Sequence, residues 1–332
     1  MLKNKKILIT GGTGSLGQAL TKYLLKQDVS AIRIFSRNES SQIKMQSKIF
    51  DDRLRFLIGD VRDLSRLNKA LEDIDIVFHA AALKHVPVVE YNPFEAVKTN
   101  VIGSQNVIDA CIENDVEVAV CVGTDKAVSP LNTYGATKLL MEKIFVSASN
   151  HIDSKKHKTK FIALRYGNVL GSSGSVVPKF IEQVKNKEKI TITDYNMSRF
   201  SLTMDEALKF ILDATTQGKG SEIFVPKLNA YTISDVKTAV FELLENTGEK
   251  KISIRPGEKI NEILINQDEI RYTWEFEGKY IIFNPFLTMD EIEKSYPGIK
   301  KIDQIKEYSS DKADKMSIEK LKENILSSDL LN

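Results

Sequence analysis

Apolar and polar positions follow two rhythms along the first half of the chain. Short runs of β-branched and aliphatic residues occur at Lys6–Thr10, Ala31–Phe35, Leu54–Ile58, Ile76–His79, Val116–Val122 and Phe161–Leu164. Between them, apolar residues recur every three or four positions, as at Leu16, Leu20, Tyr23 and Leu24, and again at Val97, Val101, Ile108 and Ile112. The runs suit strands and the wider spacing suits amphipathic helices. Their alternation predicts βαβ units and a parallel sheet, with right-handed crossovers placing helices on both faces.

The rhythm changes after about Asn168. Gly171-Ser172-Ser173-Gly174-Ser175 is a loop signal, and helices expected near Val177–Lys187, Asp205–Gln217 and Ile233–Asn246 mix with short strands. The expected architecture is α/β. A Rossmann-like, doubly wound parallel sheet occupies residues 1–168. A smaller mixed α/β lobe occupies 169–332, with some chain returning to the first domain. Ser317 is the expected N-cap of a closing helix.

Composition narrows the class. The 332 residues suffice for about two domains. Lys and Arg number 47 against 45 Asp and Glu, a net charge of +2, which argues against a dedicated nucleic-acid or polyanion binder. No run approaches the roughly 18 apolar residues of a membrane span. The apolar stretch after Lys5-Lys6 is too short for a signal peptide. Cys111 and Cys121 both lie inside apolar patterns and read as buried thiols of a reducing compartment. A cytoplasmic protein is expected.

The first run leads straight into Thr10-Gly11-Gly12-Thr13-Gly14-Ser15-Leu16-Gly17, and a helical pattern follows. Glycine here permits a tight turn, close approach of a pyrophosphate and close helix packing, and the helix N-terminus favours phosphate. Between a strand and a helix, this is a strong dinucleotide signal. An acidic residue at the end of the second strand would select NAD, yet the sequence there is Phe35-Ser36-Arg37-Asn38. Arg37 and Ser36 suit the 2′-phosphate of NADP, although Arg37 alone also reads as an ordinary surface arginine. Asp60-Val61 and Ala80-Ala81-Ala82 follow the third and fourth strands, where a cofactor lies in an open α/β sheet.

Tyr134 and Lys138 are spaced i, i+4, so a helix puts them on one face. A free phenol has a pKa of about 10 and is a poor base at neutral pH. A nearby ammonium and an oxidised nicotinamide lower that value, letting Tyr134 take a proton from an alcohol as hydride leaves. Thr124-Asp125-Lys126 stands at the end of the fifth strand. Read as a dipeptide, Asp125-Lys126 could be a surface ion pair.

These motifs together resemble the extended short-chain dehydrogenases/reductases. More narrowly, Thr124 to Lys138, Ala81-Ala82-Leu83-Lys84-His85-Val86-Pro87, Arg165-Tyr166-Gly167-Asn168-Val169-Leu170-Gly171 and Arg255-Pro256-Gly257-Glu258-Lys259 resemble the soluble, C5-inverting UDP-N-acetylglucosamine 4,6-dehydratases. The resemblance runs from about residue 5 to the closing helix. It implies oxidation at C4 by Tyr134 with Lys138, loss of water across C5–C6, and hydride return to C6 without net redox change. It implies Lys126 as C5 base, Asp125 as C6 acid and Thr124 as a sugar-hydroxyl contact. The expected substrate contacts are Lys84, Asn168, Ser175, Val176, Val177, Thr191, Arg199, Arg255 and Glu258, with Arg255 and Arg199 on the diphosphate and Glu258 on ribose. Asn100 joins the expected cofactor contacts. UDP-N-acetylglucosamine is the implied partner, and the implied assembly is a homo-oligomer, hexameric by family resemblance, serving surface glycan synthesis.

Two departures bear on sugar preference: Asn261 where the family often has histidine, and Ser201 where an aromatic often follows Arg199-Phe200. His79, His85, His151 and His157 show no metal-ligand spacing. A nucleotide-sugar 4-epimerase would share Tyr134 and Lys138 and remains open, as does a non-catalytic NADP-binding scaffold. A retaining dehydratase is a further rival, many of which carry preceding membrane helices.

Overall fold

The structure, a computed structural model, describes residues 2–153, 155–172, 174–254, 257–328 and 330–331. Strands form at the six apolar runs: β1 (Lys6–Thr10), β2 (Ala31–Ser36), β3 (Leu54–Ile58), β4 (Ile76–His79), β5 (Val118–Val122) and β6 (Lys160–Leu164). They are parallel and ordered β6-β5-β4-β1-β2-β3. The order reverses at β1 and β4, which opens a crevice beyond their C-terminal ends. Between the strands run α1 (Ser15–Leu24), α2 (Glu39–Gln46), α3 (Leu64–Leu71), α4 (Val86–Tyr91), α5 (Pro93–Ala96), α6 (Gly103–Glu113) and α7 (Thr133–Ala148). Val97–Ile102 form a π-helical turn joining α5 to α6.

Strand alternation builds two cores from one sheet. Ile7 and Ile9 meet Ile32, Ile34, Ile76, Phe78 and the Leu20 and Leu24 side chains of α1 on one face. Leu8 faces the other way with Val77, Ala119 and Cys121, under Leu67, Val107, Ile108, Met141 and Phe145 of α3, α6 and α7.

The second half adds β7 (Asn168–Val169), α8 (Val176–Lys185), β8 (Ile190–Ile192), β9 (Ser198–Leu202), α9 (Met204–Gln217), β10 (Ile223–Pro226), β11 (Asn229–Thr232), α10 (Ile233–Leu243), β12 (Glu249–Lys251) and β13 (Ile263–Ile265). After these come α11 (Gln267–Ile270), β14 (Thr273–Phe276), β15 (Lys279–Ile282), α12 (Met289–Ser295), β16 (Lys300–Lys301), β17 (Tyr308–Ser309) and α13 (Ile318–Ser327). Small sheets β11-β9-β7, β12-β8 and β13-β17 surround a separate core. That core joins Val177 and Phe180 of α8, Ile190, Ile192, Val236 and Val240 of α10, and Leu321 and Ile325 of α13. Ser317 caps α13 by accepting from the Lys320 N–H at 3.1 Å.

The chain's return to the first sheet is extensive. β10 pairs parallel to β6, and β15, β14 and β16 continue antiparallel beyond it, so the main sheet has ten strands among the described residues. Helix α9 also departs from its expected place in the smaller lobe. Its Ala207, Leu208, Ile211 and Ala214 pack on the α1 face of the main sheet. Among the described residues, no helix is long and apolar enough to cross a membrane.

Candidate active site

The chain leaves β1 at Thr10 and turns through Gly11 at φ +65°. A Cβ on Gly11 would lie 2.8 Å from the Ala81 nitrogen, and one on Gly17 would lie 2.5 Å from the Gly12 Cα. The loop, the end of β4 and α1 therefore approach more closely than any side chain permits. The N-cap of α1, Gly14, brings no side chain to the helix's leading N–H groups, which is the arrangement that takes phosphate. A cradle this close suits the pyrophosphate of a dinucleotide.

A cavity of about 760 Å³ starts at this loop and crosses to the second lobe. Its wall holds Gly11, Thr13, Gly14, Ser15, Leu16, Gly17, Ser36, Arg37, Val61, Ala80, Ala81 and Ala82 from the expected cofactor set. Thr124, Lys126, Tyr134 and Lys138 line its middle. Lys84, Asn168, Ser175, Val176, Thr191, Arg199 and Glu258 line the far part. Arg255 lies outside the described residues. At the end of β2, Arg37 is half exposed, 3.7 Å from Asp60, and Ser36 accepts from Gln42 Nε2 at 3.0 Å.

Five expected contacts are not themselves on this wall. Thr10 is fully buried, its Oγ1 2.8 Å from His79 Nδ1 and accepting from the Ala81 N–H at 3.2 Å. Burial, aided by Lys138, pushes the His79 pKa down to about 3, so the imidazole is neutral. Asn100 sits in the π-helical turn and grips Leu83 twice, accepting from its N–H at 2.8 Å and donating to its carbonyl at 3.0 Å. It thus holds the wall segment in place. Asp60 is claimed by Arg62, whose Nη2 and Nε donate at 2.7 and 3.0 Å. Val177 belongs to the second-lobe core. Asp125 is 1% exposed and meets the cavity through its neighbours.

Helix α7 starts at Asn132, whose side chain accepts from the Gly135 N–H at 2.8 Å. Tyr134 and Lys138 follow on its cavity face. Burial pushes the Tyr134 phenol above its ordinary range, and the Lys126 ammonium and a hydrogen bond with Thr124 pull it part of the way back. Lys126 thus supplies a nearby ammonium that favours the Tyr134 phenolate. Lys138 donates to the Val122 carbonyl at 2.6 Å, and burial lowers its own pKa.

Lys126 is the electrostatic centre of the site. Its Nζ donates to Asp125 Oδ1 at 3.0 Å and Asn168 Oδ1 at 3.3 Å, and lies 3.4 Å from Glu262 Oε1. Burial alone would depress its pKa, but the Asp125 and Glu262 carboxylates outweigh that and hold it well above the ordinary lysine range. The resting side chain is an ammonium. Thr124 Oγ1 donates to the same Asp125 oxygen at 2.9 Å.

Arg199 differs from the expected diphosphate contact. Its Nη1 donates to the Ser198 and Ile260 carbonyls at 2.7 and 3.0 Å, and its Nη2 to the Lys259 carbonyl at 3.0 Å. Glu258 and Glu262 each stand 3.7 Å away. The guanidinium is spent on shaping residues 258–262, because this segment offers it carbonyls and carboxylates at close range. The same segment is fastened to the first lobe. Asn132 Nδ2 donates to the Gly257 carbonyl at 2.9 Å, and Lys259 Nζ donates to the Val128 carbonyl. Glu262, Lys259 and Tyr166 line the cavity and were not singled out from the sequence. Glu262 lies three residues beyond the motif Arg255–Lys259, but its partner Lys126 is remote in sequence. At the other side, α8 begins at Ser175, which makes no side-chain cap, and its buried Oγ has no partner among the described residues.

A glycine cradle at a Rossmann switch point, with tyrosine and lysine on the following wall, defines an extended short-chain dehydrogenase/reductase. Within that class, residues 7–284 match the family described as polysaccharide biosynthesis protein, and the chain belongs to it. It is 45% identical over 311 residues to a Campylobacter jejuni protein named UDP-N-acetylglucosamine 4,6-dehydratase (inverting), covering 93% of this chain and 88% of that one. It is 37% identical over 334 residues to a Rickettsia felis protein named UDP-glucose 4-epimerase, covering 99% and 97%. The crystal structure of Pen from Bacillus thuringiensis superposes with a TM-score of 0.90 at 39% identity, covering 100% of this chain and 99% of that one.

Proposed function

We propose that the protein is an inverting UDP-N-acetylglucosamine 4,6-dehydratase that uses NADP, forming the 4-keto-6-deoxy-L-arabino sugar for surface glycan synthesis. The observation that carries this reading is the placement of Lys126, backed by Asp125, within reach of Tyr134 in one cavity. An epimerase needs the tyrosine but has no use for a second proton-handling pair.

The glycine loop and the start of α1 would hold the dinucleotide pyrophosphate, with Arg37 and Ser36 at the 2′-phosphate. Bound there, the nicotinamide supplies a hydride acceptor for C4 and a hydride donor for C6. The uncapped start of α8 at Ser175 and Val176 suits the substrate diphosphate, with Arg255 and Glu258 clamping the nucleotide. Thr191 would contact the nucleotide and Lys84 the sugar.

Tyr134 Oη takes the proton of the C4 hydroxyl, and Thr124 steadies that oxygen. The 4-ketone acidifies C5, whose proton passes to Lys126 Nζ once that nitrogen is a free amine. Asp125, which accepts from the Lys126 ammonium, passes on the proton with which the C6 hydroxyl leaves as water. Incubation with UDP-N-acetylglucosamine and NADP, followed by mass spectrometry, tests the reading. Loss of one water supports it.

The relatives named UDP-glucose 4-epimerase give a second reading, in which the product is an isomer of unchanged mass. No reaction at all would favour a binding scaffold.

A further inference from the structure

Glu262 is a buried carboxylate with no assigned task. It is 3% exposed, it lines the cavity, and its Oε2 has no partner among the described residues. Burying a carboxylate oxygen without a partner is costly, so a well-packed alternative would be more stable unless the oxygen is used. Its backbone is fixed on both sides of the peptide. The Glu262 N–H donates to Ser310 Oγ at 2.9 Å, and the Glu262 carbonyl accepts from the Ser310 N–H at 2.8 Å.

Oε1 lies 3.4 Å from Lys126 Nζ and 3.7 Å from Arg199 Nε. Lys126 is thus held between a carboxylate of its own loop, Asp125, and one delivered by the second lobe. The dehydratase reading requires the free amine of Lys126 at C5, but these surroundings hold the ammonium. Something in the cavity must accept that proton. Asp125 Oδ1 accepts from both Thr124 and Lys126, and its buried Oδ2 has no partner among the described residues, but the C6 oxygen draws its proton through Asp125, which leaves Glu262 to hold the one from Lys126.

We propose that Glu262 is the internal proton acceptor for Lys126, a positioning residue for the elimination stage. The proposal rests on the dehydratase reading. The Lys126 ammonium and Glu262 carboxylate share one proton. Its transfer to Glu262 leaves an amine and a carboxylic acid. The amine then takes the C5 proton and becomes ammonium again, and the electron pair of the C5–H bond passes into the enolate of the 4-ketone. The pair now holds two protons. As the enolate expels the C6 oxygen, one of these passes from Lys126 through Asp125 to that oxygen and leaves with it as water, and the pair returns to a single shared proton.

This arrangement has a signature in pH dependence. Sharing an internal proton does not change the pair's proton count, so the amine fraction is independent of bulk pH across the neutral range. The charged or titratable groups facing the pair are Asp125, Tyr134, Tyr231, Lys259 and Arg199. None is removed by a change at Glu262. In Glu262→Gln this acceptor is gone, so on this proposal the Lys126 proton leaves to solvent and log kcat should rise with pH at a slope of about one, whereas a proton taken by Asp125 would leave the profile flat.

The experiment uses the full-length enzyme, UDP-N-acetylglucosamine and NADP. Wild type should show a flat profile through neutral pH. Glu262→Gln should lose about 10²-fold in kcat near pH 7, regain activity with rising pH, and change KM by no more than about twofold. In a single turnover, reduced nicotinamide should still form at near the wild-type rate, while deuterium uptake at C5 from heavy water slows. Glu262→Asp keeps the acceptor and should restore the flat profile at a reduced rate. Affinity for UDP, measured by calorimetry, reports whether each variant's second lobe is folded.

Two results would overturn the proposal while the dehydratase reading stands. One is a Glu262→Gln profile as flat as wild type. The other is a Glu262→Asp profile as steep as that of Gln. A wild-type enzyme that removes no water overturns the dehydratase reading itself.

Discussion

Replacing Arg37 by alanine tests the cofactor assignment quantitatively. The guanidinium stands at the end of β2 on the cavity wall, with 51% of its side chain exposed, 3.7 Å from Asp60. A charged hydrogen bond is worth about 1.5–3 kcal/mol when shielded. Half exposure and salt screening reduce this, so about 1–1.4 kcal/mol is the reasonable figure, or roughly five- to tenfold in Kd for NADP. The substitution has a second effect of the same sign. Asp60 keeps Arg62 but loses Arg37, leaving the site less positive where the 2′-phosphate would sit. NAD carries no phosphate there, so its Kd should move by less than about twofold. Fluorescence titration of wild type and Arg37→Ala with both dinucleotides, at two salt concentrations, measures all four constants. The NADP difference should shrink at high salt. Equal weakening of NAD and NADP, or tighter binding of NAD by wild type, would refute the 2′-phosphate assignment.

Three further outcomes are expected. Tyr134→Phe should abolish cofactor reduction, while Lys126→Ala should permit C4 oxidation and accumulate reduced nicotinamide in a single turnover, with dehydration down by about 10²–10⁴; rapid dehydration by Lys126→Ala would remove it as the C5 base. Gly17→Ala places a Cβ 2.5 Å from Gly12, so thermal unfolding should show a loss of about 1–3 kcal/mol, with weakened dinucleotide binding; an unchanged Tm would mean the helix shifts at little cost. Burial pushes the Glu222 carboxyl up to about 7 from its ordinary 4.5, against hydrogen bonds from Tyr296 and the 219–220 backbone. A carboxyl whose folded pKa is raised contributes stability below its unfolded pKa and loses it as pH rises through the folded value. Urea unfolding should therefore show wild type losing about 2–3 kcal/mol relative to Glu222→Gln between about pH 4.5 and 7.5; a difference independent of pH would show that Glu222 does not titrate there.

Legibility in the sequence followed the range of the interaction. The six parallel strands were readable because each is a short, self-contained apolar run, and Ser317 was readable as the kind of residue that caps a helix. The π-helical turn at Val97–Ile102 was not, since Asn100 is held there by Leu83, a tertiary contact. Asp60 is legible as a polar residue at a strand end, but its pairing with Arg62 two residues later is not. The role of Lys126 is what the family resemblance implies. Its charge state depends on Glu262, which no local pattern connects to it. Arg199 suited a phosphate by chemistry alone, and only the folded path of residues 258–262 reveals what occupies it. Strands β10, β14 and β15 are four residues each, too short for alternation to distinguish them from the smaller lobe's strands.

The extension of the main sheet by β10 has a consequence for how the molecule can be divided. Phe161, Ile162, Ala163 and Leu164 of β6 are all fully buried, and their outer ladder is completed by β10 from far along the chain. A fragment ending at residue 168 would present β6 as a bare, apolar edge, a template for pairing with other molecules. It would also strand Arg165, fully buried between Glu142 and the Leu264 carbonyl and Glu269 of the later segment. Half of that cation's compensation would be missing. The dinucleotide-binding half is thus a unit of topology but not of solubility, and on a ribosome its sheet edge stays unprotected until β10 has emerged.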